Sequence, residues 1–203
     1  MTLPLILFLV AVVIPVFFGK ARSAPVWLGL QAMGLAWNAL AQHGEISNHA
    51  LMAALELLVV RAWLVPALVH RMIRRRTAPN VELMPSNLFA WAIAAVMIVL
   101  AFEVIGKASA DSGAFALAVM ASTVVSALLI LATNDSPTSQ LVAVLFMENA
   151  IVLFESLLPE PWPLPIHFAL TTIYVLTVVV ATRLVGKPAS DKTEDQAELR
   201  EVL

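Results

Sequence analysis

The chain has 203 residues, of which 61% are apolar and 13% charged, with a formal net charge of −2 from 12 basic and 14 acidic residues. Soluble domains lie nearer half apolar and a quarter charged, so the composition excludes a soluble enzyme, a nucleic-acid binder with a basic footprint and a disordered protein. Cysteine is absent, which removes disulfides, iron–sulfur clusters and thiolate metal sites from this chain, and the four histidines are scattered without metal-ligand spacing.

Seven apolar runs follow one another, near 3–19, 25–42, 48–69, 87–105, 113–132, 139–158 and 166–185. Each is about long enough to cross a ~30 Å hydrocarbon core at ~1.5 Å per residue. Polar punctuation separates them: Gly19–Lys20–Ala21–Arg22, His43–Gly44–Glu45, the basic stretch Arg71 to Arg76, Gly106–Lys107, Asn134–Asp135–Ser136–Pro137 and Pro159–Glu160–Pro161. The runs are of helix length and do not alternate, which excludes a β-barrel. The expected fold is an all-α polytopic membrane protein with about seven transmembrane helices. Residues 1–187 form its single membrane domain, and 188–203 a polar tail with Glu194, Glu198 and Glu201 that is mobile or docks on a partner.

Basic residues set the expected orientation. Lys20, Arg22, Arg71, Arg74, Arg75, Arg76, Arg183 and Lys187 fall on one side of a seven-span arrangement, and Lys107 alone on the other. The N-terminus is thus expected outside and the C-terminus in the cytoplasm. The first run has no basic residue ahead of its apolar core, which argues against a signal peptide.

Ionisable residues inside spans cost about 2.5–3.5 kcal/mol each on insertion scales and are functional candidates by default. Glu56, near the midplane of the third run, and Arg61 are five residues apart. In an α-helix that is a turn of about 140°, so they are expected off a common stripe, each seeking a partner on another helix. Pro66 removes a backbone donor and is expected to kink that helix near Ala62. Glu148 falls near the midplane of the sixth run. Glu155 follows two turns later on the same face, about 10.5 Å along the axis, so waters or a third side chain would have to bridge the two carboxylates. Glu103 and, more weakly, Glu155 read as interfacial acids. For Glu56 with Arg61 a structural ion pair across helices competes with a role in proton movement, and for Glu148 the functional reading is favoured. Gln31, Asn38, His49, Asn149, Thr171, Thr172 and Tyr174 are explained by helix–helix hydrogen bonds, His167 by a structural role at the outer face, and Trp27, Trp91 and Trp162 by the aromatic belt. Glu56, Arg61 and Glu148 suit a lateral hydrophilic path. No nucleophile set, metal cluster or phosphate loop marks an enzyme.

Two stretches resemble a known family. The segment Ser136 to Val152 carries Gln140 at its start and Glu148–Asn149–Ala150 in its middle, and Arg61–Ala62–Trp63–Leu64–Val65–Pro66 places a base five residues before a proline. Both resemble component E of the group 4 membrane-bound nickel–iron hydrogenases of the formate hydrogenlyase type. The resemblance covers nearly the whole chain except the tail. It implies a non-catalytic membrane subunit without cofactors, related to the small K-type membrane component of respiratory complex I and the small C-type component of multisubunit cation/proton antiporters. It further implies large antiporter-like membrane subunits and a peripheral redox module as partners, in a bacterial or archaeal cytoplasmic membrane. Glu148 and Arg61 would be links in a chain of buried charges carrying protons or sodium ions, with Glu56, Glu155, Asn149, Gln140, Asn38 and Thr171 as further candidates. This sequence departs from the family at Ala150, where glycine is usual, and at Thr171 and Thr172, near which family members often carry an aspartate. A stand-alone proton-coupled transporter and a pure membrane scaffold are the alternatives. The former would be supported by inverted repeats, which the sequence does not show.

Overall fold

The structure is a computed structural model that describes residues 2–18, 20–42, 48–74, 83, 88–108, 113–158 and 162–185. Every element among these residues is helical. Helix α1 is Thr2–Phe18, and α2 is Ala24–Gln42, entered through a 3₁₀ turn at Ala21–Ser23. Helix α3 is one rod of three stretches: α-helix Asn48–Glu56, π-helix Leu57–Leu64 and α-helix Val65–Arg74. Then come α4 (Leu88–Ala108), α5 (Ala114–Thr133), α6 (Pro137–Glu155) and α7 (Leu164–Val185).

Among the described residues, α3 to α7 are the five helices long and apolar enough to cross a membrane, which makes the chain an all-α multi-pass membrane protein. The other two apolar runs also form helices. Helix α1 is apolar but only 17 residues long, and α2 is diluted by Gln31, Asn38 and Gln42. The tail expected over 188–203 lies outside the described residues.

The turn between α5 and α6 shows how local sequence sets the packing. Asn134 Oδ1 accepts the Ser136 N–H at 2.8 Å, Ser136 is extended, and Pro137 opens α6, where a missing N–H costs nothing. The reversal lays α6 back along α5. Close approach elsewhere relies on glycine: a Cβ at Gly34 of α2 would stand 3.0 Å from the Pro4 carbonyl of α1.

The apolar core is split in two. One cluster holds Leu28, Val65, Val69, Ile130, Leu145, Phe146 and Val178. The other holds Leu5, Phe8, Leu35, Leu57, Val119 and Leu153. Along α2 the boundary falls at Gln31, along α3 at Arg61 and along α6 at Asn149, all three buried. On α5 the buried hydroxyls of Ser122, Thr123 and Ser126 occupy the same interval, between Val119 and Ala127. A polar layer therefore crosses the bundle between two dry layers.

Candidate functional site

Arg61 is only 2% exposed. A guanidinium removed from water needs compensation on every side. Its Nη1 donates to Asn149 Oδ1 at 3.0 Å, and Asn149 Nδ2 donates onward to Gln31 Oε1 at 2.8 Å. Its Nε lies 3.5 Å from Glu56 Oε1. Its Cζ stands 4.1 Å from the centre of the Tyr174 ring, a cation–π contact. Helices α2, α3, α6 and α7 thus meet on one cation.

The Glu56–Arg61 pair corrects the sequence expectation that these two side chains point apart. The π stretch supplies the reason. Hydrogen bonds from residue i to i+5 widen the turn, so a side chain five positions on lies closer to the first than in an α-helix, and the Val65 N–H donates to Val60 O in that register. Pro66 cannot make the α-type bond to Ala62, so the disturbance expected near Ala62 takes the form of a wide turn. Gly29 of α2 packs against that carbonyl: a Cβ there would sit 3.2 Å from Ala62 O.

Each acid has its own setting. Glu56 Oε1 accepts from Thr171 Oγ1 at 2.9 Å in addition to the Arg61 contact. Glu148, half-buried, accepts from Thr177 Oγ1 at 3.3 Å through Oε1, while its buried Oε2 has no hydrogen-bond partner. Glu155 is 6% exposed. Its Oε1 accepts the Trp162 N–H at 3.2 Å and lies 2.6 Å from His167 Nε2. Asn38 Nδ2 donates to Ser156 Oγ at 3.2 Å beside them. Glu103 is exposed in an i,i+4 pair with Lys107 at 2.8 Å.

Glu155, expected as an interfacial acid, is buried and shares a cavity with Glu56 rather than with Glu148. A cavity of about 80 Å³ is lined by Asn38, Glu56, Arg61, Glu155, His167 and Thr171 among others, and Glu148 is not on its wall. The seven-residue spacing does put both acids on one helix, but α7 supplies Glu155 with His167 and Glu148 with Thr177, and the cavity joins Glu155 to Glu56. Gln140 is remote from the cluster. Its Nε2 donates to Asn134 O at 3.3 Å, and it lines a groove with Val144, Thr177 and Ala181.

The structure therefore gathers Glu56, Arg61, Asn149 and Thr171 with Gln31 and Tyr174, sets Glu155 and Asn38 at one end of the shared cavity, and leaves Gln140 outside. Sequence reasoning passes over the role of α7. His167, Thr171, Tyr174 and Thr177 recur at i, i+4, i+7 and i+10, a helical stripe whose members face Glu155, Glu56, Arg61 and Glu148 in turn. That periodicity is the signal the sequence carries.

Chemically, the carboxylates and the imidazole can take up and release protons, while Arg61 keeps its charge. Among the described residues no three His, Cys, Asp or Glu side chains gather as a metal site. The chain matches no protein-family model, no curated protein and no solved structure.

Proposed function

We propose that this chain is a non-catalytic integral membrane subunit of a hydrogenase-like or complex I-like redox assembly, and that Glu56, Arg61 and Glu148 belong to a path for protons or sodium ions through its membrane arm. In this reading the chain crosses a bacterial or archaeal cytoplasmic membrane seven times, N-terminus outside and C-terminus inside. Large antiporter-like subunits lie beside it and a peripheral redox module supplies the driving reaction. The observation that carries the reading is the setting of Glu148: its Oε1 accepts from Thr177, while its buried Oε2 has no hydrogen-bond partner. A scaffold gains nothing from a half-satisfied carboxylate in the bilayer. A proton-exchanging acid needs one. The resemblance of the segments around Arg61 and Glu148 to hydrogenase component E supports the choice of assembly.

The test is Glu148→Gln in the assembled complex. The expected result is redox turnover retained and ion translocation lost, measured in vesicles by the pH or sodium gradient formed per turnover. Unchanged translocation would sink the reading. Purification from gently solubilised membranes adds a second check: antiporter-like subunits in fixed ratio are expected, and recovery of the chain alone favours the transporter alternative.

A further inference from the structure

We infer that the bundle contains a hydrated half-channel that enters from the end opposite Arg71 and Arg74 and stops at Arg61, so that water reaches Glu56 but not Glu148. The inference deepens the proposed function by giving its path one aqueous entrance, and it concerns water access, which is measurable whatever the complex pumps.

Three observations carry it. The first is the cavity itself. Its walls run from Ala39 and Ala50, near the ends of α2 and α3, down to Arg61, about three turns along α3. A volume of about 80 Å³ holds several waters, since one needs roughly 10–15 Å³ on this measure and two to four polar partners. Asn38, Glu155 and His167 supply partners at the top, and Glu56, Thr171 and Arg61 at the bottom. The polar groups along this space suit water and protons.

The second is the ladder on α7. His167 and Thr171 are one turn apart. The upper one meets Glu155 at 2.6 Å, and the lower one donates to Glu56 at 2.9 Å. Proton acceptors thus stand at both ends of the water-sized gap. Glu56 uses only Oε1 in its contacts with Arg61 and Thr171, leaving Oε2 for water.

The third is the floor. The Arg61 guanidinium lies over Tyr174 and is tied through Asn149 to Gln31. Directly beyond it come Leu28, Val65, Leu145 and Phe146, all fully buried and apolar. A permanent cation backed by a dry layer repels a proton arriving from the cavity. Glu148 meets Thr177, one turn beyond Tyr174 on α7, and shares no wall with the cavity. Protons exchanged at Glu56 and at Glu148 therefore belong to opposite sides of Arg61.

The absence of native cysteine makes the test direct. Single variants Leu170→Cys and Ala53→Cys, at the cavity wall, are compared with Ile130→Cys in the dry core and Val144→Cys at the Gln140 end. Each is carried in the full assembly in sealed vesicles of both orientations and exposed to a charged, membrane-impermeant methanethiosulfonate. Only the thiolate reacts, and it forms only in water. The expected result is modification of Leu170→Cys from the Glu155 side alone, at least about tenfold faster than Ile130→Cys, with Val144→Cys unreactive from that side. Ala53→Cys serves in the same way should Leu170→Cys fail to assemble. Reaction at the Ile130→Cys rate, or equal labelling of Val144→Cys from the same face, overturns the half-channel. A half-channel that labels as expected in a complex where Glu148→Gln pumps normally would overturn the proposed function and leave this inference standing.

Discussion

Helices α4 and α6 make an instructive pair. Helix α4 is the most apolar of the five spans, yet only 11% of it is buried inside the protein; α6 is the least apolar, and 56% of it is buried. In water the ranking would be reversed. In a bilayer the lipid already accepts apolar side chains, so apolarity gives a helix no reason to turn inward. Polar groups that need partners, and small residues that allow close approach, bring helices together. Helix α6 brings Thr138, Ser139, Asn149 and Glu155 to buried positions. Helix α4 turns Val96, Val99, Leu100 and Val104 outward. Helix α7 combines the two behaviours: it too is 11% buried, with Ile166, Phe168, Ile173, Leu176 and Leu184 outward, and its polar stripe held inward.

Mutations can break this contrast, and the largest effect belongs to the charge at its centre. Arg61→Leu removes the partner of Glu56 from the interior. The expected loss is about 3–5 kcal/mol, read as a lowered melting temperature or loss of the assembled chain from membranes. A stability within error of wild type would show that the polar layer does not hold the bundle together. Next comes Asn149→Leu on α6, a near-isosteric change that strands Arg61 Nη1 and Gln31 Oε1. A cost of about 1–3 kcal/mol is expected, and pairing it with Gln31→Leu in a double-mutant cycle should give strong non-additivity. Thr171→Val on α7 takes one donor from Glu56 and should cost about 0.5–1.5 kcal/mol by the same thermal measurement. Smallest is Val99→Ala on α4, 60% exposed, for which the isolated chain should change by no more than about 0.5 kcal/mol. If that variant instead reduced recovery of partner subunits while leaving the chain's own melting unchanged, the outward face of α4 would be covered by protein and not by lipid.

The contrast also explains what can be read from residues alone. Apolar run length and punctuation place the seven described helices to within a few residues, because a bilayer admits few backbone solutions and the chain marks its exits with Gly, Pro and charge. The level of Glu56, Arg61, Asn149 and Glu148 along their helices follows by counting. Pairing does not. Glu155 shares a face with Glu148 on the α6 helix, but its nearest ionisable partner, His167, comes from α7, and the relative azimuth of two helices is a tertiary fact. Glu56 and Arg61 escape the count for a different reason: the angle between them is that of a π-helix, and residue spacing alone does not distinguish it from an α-helix.

The wide turn at Leu57–Leu64 governs the rest of its rod as well. The buried positions of α3 include Leu57, Arg61, Val65 and Val69, a strict step of four. On an ideal α-helix each step of four drifts by about 40°, so three steps would sweep the set about 120° around the rod. The π stretch slows the winding enough to keep them in one file. Helix α3 therefore runs on two clocks: the stretches before Leu57 and after Leu64 keep ordinary α-helical time, and the segment between them keeps a longer one. Deleting a single residue between Leu57 and Leu64 would rotate the half of the rod beyond Leu64 against the half before Leu57, carrying Arg71 and Arg74 round it, without substituting a single charged side chain in the cluster.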